Sequence, residues 1–237
     1  VVLSLANAAA SSGFGVIFLG DNFARLMGGL WTSVYISLIA LAIGLPLGAL
    51  LGVARLSKNA VVRALLRLYL EFFRIVPTLV LLFVAYYTVP ELTGVQSDGI
   101  TVSIITFALW VAAEFSDIVR GALISVPDHQ LDSGKALGMN SFQLLWFVRL
   151  PQSINLMIPG AINLATRVIK TTSLLLLLSV IEVVTVGQQI MEANRMTHPD
   201  AAFWVYGFIF LLYFIICWPL SAAARALEKR AKERNRD

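Results

Sequence analysis

The sequence predicts an all-α protein, a polytopic membrane helical bundle of five transmembrane helices with one long cytoplasmic loop. Three observations predict it. The 237 residues are 58% hydrophobic and only 14% charged, with a mean hydropathy of +0.81, a composition that excludes a water-soluble domain with one buried core. Charge-free runs of 29 residues between Arg25 and Arg55 and of 24 between Asp200 and Arg225 each exceed the roughly 20 residues that cross a bilayer core. The basic residues gather at the ends of the apolar stretches, so the net charge of +4 reads as positive-inside topology and not as a nucleic-acid surface.

The charge-free runs give the first and last spans. The remaining three fall at about 68 to 90, 99 to 121 and 153 to 181, the last long enough for a span plus a further helical segment. One side of this arrangement holds fourteen Lys and Arg, and the other holds only Arg25 and Arg195. That asymmetry puts the C-terminus and the Asp132 loop inside and the N-terminus outside. Residues 1–25 read as an outer-surface segment, with a sixth span or signal-peptide remnant as the alternative; 26–225 form one transmembrane domain, and 226–237 a basic cytoplasmic tail. In the first span Gly44, Gly48 and Gly52 recur every four residues, so one helix face allows close backbone approach, and Pro46 is expected to kink the helix or perturb its hydrogen-bond ladder. Cys217 stands alone in an apolar run, which excludes a disulfide framework.

The loop of about 121–152 is far longer than a simple connection needs. A short helix is expected over Gln130–Leu137, ended by Gly138 in the left-handed region, with Ser141 capping a second helix that stops at Val148 before Pro151. This is a rigid knob. Phe142, Leu144, Leu145, Trp146 and Phe147 equally suit an amphipathic element lying on the membrane, and residue chemistry alone leaves both readings open.

Asp132-Ser133-Gly134, then Gly138, then Leu150-Pro151 resemble the loop of ABC-type importer permeases: an acidic residue and two small ones, a glycine, and a hydrophobic stretch ending in Leu-Pro. Upstream, Asp117-Ile118-Val119-Arg120-Gly121 and Glu71-Phe72-Phe73-Arg74 with Pro77 resemble the polar amino acid, or histidine permease, branch. Downstream, Ile169-Lys170-Thr171-Thr172-Ser173-Leu174 and Glu182 with Gln188-Gln189 follow the same branch. The similarity covers roughly residues 28–225.

The resemblance implies the type I ABC importer permease fold, with 127–151 as a coupling-helix loop. Asp132, Ser133, Gly134, Gly138, Leu150 and Pro151 would then contact a cytoplasmic ATPase. It implies as partners two ABC ATPase subunits, a second permease subunit of the same or a related chain, an outer solute-binding protein and a polar amino acid, in a bacterial inner membrane. ATP and Mg would be bound by the partner subunits, with no cofactor in this chain. Departures from the family pattern are Asp132 for Glu, Ser133 and Gly134 for two alanines, Val76 for Thr, Leu81 for Gln and Thr171 for Asp.

An ionised side chain near mid-bilayer costs about 2.5 to 3.5 kcal/mol or more, so such residues tend to face a cavity or a partner. Glu71 with Arg74, Glu114 with Asp117, and Arg167 with Lys170 are each three residues apart on one helix face. Glu71, Arg74, Asp117 and Arg120 sit near the cytoplasmic ends and read as structural ion pairs. Glu114 is deeper. Arg167 and Lys170 would repel unless a carboxylate from Glu114, Glu182 or a substrate lies between them. In one reading Arg167 takes the α-carboxylate and Glu114 the α-amino group of a transported amino acid; in the other the two pair directly and join two helices. Lys170, Thr172, Ser173 and Asn163 are further pathway candidates.

No Gly-x-x-x-x-Gly-Lys-[Ser/Thr] phosphate loop is present, so ATP is not bound here by that route. His129 and His198 lie on opposite sides of the predicted topology, and no catalytic residue or metal site is expected. The rival to a permease is an ATP-independent secondary amino acid transporter or channel subunit. Such folds usually carry two related halves, and no repeat is visible within five spans.

Overall fold

The computed structural model describes residues 13–96 and 98–234. The expected outer segment therefore lies partly outside the described residues, as do 235–237 of the basic tail. A short helical turn, Gly13–Phe18, leads into α1, Asn22–Ala54. Then come α2, Ala60–Ile75; α3, Thr78–Thr93; α4, Gly99–Ile124; and α5, Asp128–Ala136. The remaining helices are α6, Ser141–Leu178; α7, Val183–Ala193; and α8, Ala201–Arg234. Among the described residues there is no strand.

Helices α1, α4, α6 and α8 are each long and apolar enough to span a membrane, and α2 with α3 forms a fifth apolar pair bent by 102°. The expected second span at about 68–90 falls across this bend, on the last part of α2 and most of α3. Pro77 supplies no N–H and forces its predecessor out of the helical region, and Val76 accordingly sits at φ −71°, ψ 125°. The bend separates two kinds of helix. Val61, Leu65, Leu68, Phe72 and Ile75 form an exposed apolar stripe on α2, while Arg63, Arg67, Glu71 and Arg74 occupy another face.

Helix α4 is the centre of the bundle: 67% of its apolar window is buried, against 28% to 39% for the other unbroken spans. The glycine stripe of α1 packs on it. A Cβ at Gly44, Gly48 or Gly52 would come within 2.6–2.8 Å of the nearest α4 atom, Val111 Cγ1, the Ala112 carbonyl oxygen and Val119 Cβ in turn, so only glycine permits this spacing. Pro46 faces outward, and α1 runs through it as one helix. Ile36, Phe107, Val111, Leu123, Leu164, Val168 and Leu175 join α1, α4 and α6 in one core. A second core joins the first turn, α1, α7 and α8 through Ile17, Leu26, Val186, Ile190 and Val205. The further helical segment expected within 153–181 is the tighter 3-10 stretch Thr172–Leu178 that ends α6, and a separate helix, α7, follows beyond Glu182.

Candidate functional sites

The knob forms at the end of the bundle that carries Arg55, Arg74 and Arg120, here called the basic end. Asp128 begins α5 and Lys135 lies in its last turn, each at the terminus whose partial charge it complements. Gly138 adopts φ 80°. Its N–H donates to the Lys135 carbonyl at 2.8 Å and that of Met139 to the Gly134 carbonyl at 3.0 Å, which is the Schellman closure of a helix C-terminus. Next, the Asn140 side chain accepts from Gln143 N at 2.9 Å while Gln143 Oε1 accepts from Asn140 N at 2.8 Å. Asn140, not the expected Ser141, is therefore the cap, through a reciprocal capping box.

The two halves of the knob close on each other because Gly134 has no side chain: a Cβ there would lie 2.5 Å from Leu144 Cδ2. Asp132 and Lys135 form an exposed ion pair at 2.8 Å, worth little to stability, and Ser133 Oγ donates to the His129 carbonyl at 2.8 Å. Leu137, Phe142 and Phe147 are 80%, 67% and 70% exposed. The second helix does not stop before Pro151. It passes through Leu150-Pro151 by way of a wide turn over Leu144–Arg149, in which Leu150 N donates back to Leu145 O. That wider turn absorbs the proline within a continuous helix. Knob and membrane helix are one rod.

The charged residues pair differently from expectation. Asp117 accepts from Arg55 Nη1 at 3.0 Å and Arg74 Nη1 at 3.2 Å, tying α4 to α1 and α2. Glu71 pairs with Arg67 at 2.7 Å, one turn away on α2, so the Glu71–Arg74 and Asp117–Arg120 pairs do not form. Arg120 makes no ion pair among the described residues. Tertiary placement decides this, since Arg74 lies in the last turn of α2, against α4.

Deeper in the bundle, Arg167 Nη1 on α6 lies 2.9 Å from Glu114 Oε2 on α4, with its guanidinium carbon 5.1 Å from the Trp110 ring centroid. Glu114 is largely enclosed and Arg167 half exposed, at 16% and 51% of their side chains. Lys170 forms no ion pair among the described residues. Asn163, Arg167 and Lys170, spaced by four and three, present one exposed polar face of α6. Thr172 and Ser173 donate to the Ile169 and Lys170 carbonyls at 2.7 and 2.9 Å, so their protons are engaged within the helix.

Glu182 does not reach Arg167 or Lys170. It is fully buried and caps α7, accepting from Val184 N at 2.9 Å, from Thr185 N at 2.8 Å and from Ser33 Oγ at 3.3 Å. Gly29 lets α1 approach this cap, since a Cβ there would sit 2.8 Å from Val183 N. Sequence reasoning missed this role because Ser, Thr, Asp and Asn are the usual caps. The available signal was a lone acid immediately before an apolar helical run.

Residues 44–233 match the family described as binding-protein-dependent transport system inner membrane component. A probable amino-acid ABC transporter permease of Bacillus subtilis (strain 168) is 31% identical over 212 residues, 89% of this chain and 90% of that protein. An L-cystine transport system permease of the same organism is 31% identical over 205 residues, 86% of each. Among solved structures, an amino acid ABC transporter crystallised with histidines superposes with a TM-score of 0.80 at 20% identity, covering 89% of this chain and 95% of that one. An inward-facing MetNI methionine ABC transporter gives 0.66 at 20%, covering 86% and 96%. At those identities the likeness is one of fold.

Proposed function

The chain belongs to the family of binding-protein-dependent transport system inner membrane components, multi-pass proteins of the inner membrane, and from that premise we infer that it is a permease subunit of an ABC importer for polar amino acids. The substrate class rests on the similarity to amino-acid and L-cystine permeases and on complementary charges at Glu114 and Arg167. In this reading the chain does not hydrolyse ATP. Two cytoplasmic ATPases bind ATP and Mg, a second permease completes the pathway, and an outer solute-binding protein delivers the amino acid.

The observation that carries the reading is the knob. It is a helix pair locked by a Schellman closure and a capping box, with apolar side chains turned away from the bundle. It is continuous with α6, whose 38 residues span about 57 Å at 1.5 Å per residue. A displacement applied at the knob by closing ATPases is transmitted to Arg167 along the one continuous helix α6. The basic end is then cytoplasmic, and the exposed Asn163–Arg167–Lys170 face lines the pathway against the second permease.

In the free site Arg167 is held by Glu114. An arriving zwitterion offers its carboxylate to Arg167 and Lys170 and its ammonium to Glu114, so the exchange of partners limits the net desolvation of charge. The knob is tested by co-expressing the chain with its ATPases and purifying through a tag on the permease. Phe142→Asp with Phe147→Asp is expected to leave the chain folded and to abolish ATPase co-purification. Undiminished co-purification would reject the knob as the contact.

A further inference from the structure

At the basic end α1, α2 and α4 enclose an open cavity of about 570 Å³. Its wall carries five guanidinium groups, from Arg55, Arg63, Arg67, Arg74 and Arg120, against two carboxylates, Glu71 and Asp117. Both carboxylates are already engaged, Asp117 by Arg55 and Arg74 and Glu71 by Arg67. Arg63 donates only to the neutral carbonyls of Ser57 and Lys58, at 3.2 Å each. Arg120 has no hydrogen bond or ion pair among the described residues. An excess of three positive charges thus faces one concavity, a self-repulsive arrangement that an anion relieves.

The second observation is the helix that walls the cavity. The residues of α2 that line it share one face. The exposed stripe of Val61, Leu65, Leu68, Phe72 and Ile75 lies well round the helix from them, by the 3.6-residue period. A helix with a free apolar face and a cationic one lies in the interface of a bilayer, which puts the cavity at headgroup depth. Arginine forks match phosphate oxygens in pairs. We propose that this cavity binds the phosphate headgroup of an anionic phospholipid, whose acyl chains lie in the bilayer beside α2. The bound lipid braces α2 against α1 and α4 where Asp117 ties the three together. A free phosphate shares the headgroup chemistry but has no tail for the apolar surroundings.

The test titrates the purified full-length chain in non-ionic detergent with dioctanoyl phosphatidylglycerol, dioctanoyl phosphatidylcholine and inorganic phosphate, by microscale thermophoresis. Phosphatidylglycerol is expected to bind at least about tenfold more tightly than either of the others. Arg63→Gln with Arg120→Gln lowers its affinity on the order of tenfold, and Lys229→Gln with Arg230→Gln, removing the same charge from the tail, leaves it unchanged. Glu71→Gln tightens binding, a gain that misfolding does not produce. Equal affinity for the two lipids, or equal loss in the two double variants, overturns the proposal. Inorganic phosphate binding as tightly as phosphatidylglycerol overturns the lipid and assigns the cavity to a free phosphate-bearing solute.

Discussion

Arg167 Nη1 and Glu114 Oε2 stand 2.9 Å apart although 53 residues separate them in the chain, and this pair joins the central helix α4 to the helix that carries the knob. Its two ends differ: Glu114 is mostly enclosed by the bundle and Arg167 is half open.

That asymmetry separates a structural pair from a substrate clamp. Arg167→Gln and Glu114→Gln should each lower uptake about tenfold or more, the scale of a lost hydrogen bond to a charged group. Their effect on stability should be about 0.6 to 2 kcal/mol, as for polar contacts between membrane helices. The swap Glu114→Arg with Arg167→Glu restores the pair, so it should recover the melting temperature but not uptake. Recovery of both would make the pair purely structural.

Gly138 stands at φ 80° with nothing within 4 Å of an added Cβ, so a substitution there meets backbone strain and no clash. Gly138→Ala should cost roughly 1 kcal/mol and Gly138→Asn less, because Asn tolerates the left-handed region. ATPase co-purification should fall in the order glycine, asparagine, alanine. A melting series in detergent, run beside the pull-down, checks both.

Gly48 approaches the Ala112 carbonyl so closely that a Cβ would lie 2.8 Å from it, whereas a Cβ at Gly28 meets nothing within 4 Å. Gly48→Ala should destabilise by about 1 to 3 kcal/mol through forced separation of α1 and α4. Gly28→Ala should be neutral or stabilising by helix propensity. Thermal unfolding of the two variants, measured side by side, gives opposite signs if the glycine seam holds the bundle.

Asp200 accepts the Gly13 N–H at 2.9 Å and the Trp204 indole N–H at 3.2 Å, and the Gly13 bond first of all holds its carboxyl below the usual range. Its contribution is complete above the unfolded carboxylate's pKa and disappears as the pH falls through the lower folded value. Hydrogen-exchange protection of residues 13–18, corrected for the intrinsic pH dependence of exchange, should therefore decline on acidification. In Asp200→Asn that dependence should vanish.

The sequence made α1 and α8 legible because each is a charge-free run, and it made the first half of the knob legible because Gly138 is where a left-handed cap belongs. Other features needed the third dimension. The apolar stripe and charged face of α2 were both written in 60–75, but hydropathy averaged over 68–90 ran straight through the Pro77 bend. Pro151 read as a stop, yet the wide turn over Leu144–Arg149 carries the helix past it. Spacing placed Glu71 beside Arg74 and Asp117 beside Arg120, while the partners chosen, Arg67 for Glu71 and Arg55 and Arg74 for Asp117, depend on how α1, α2 and α4 cross. Glu114 and Arg167 were legible as residues in need of partners, but not as each other's.

The most direct measurement is amino acid uptake into proteoliposomes that hold the chain with the permease and ATPase partners proposed for it, with a solute-binding protein outside. Uptake is expected only with ATP supplied on the side of the ATPases, and Phe142→Asp with Phe147→Asp should abolish it while the vesicles retain the chain. Uptake driven by a proton gradient through the chain alone, without ATPases or ATP, would contradict the account.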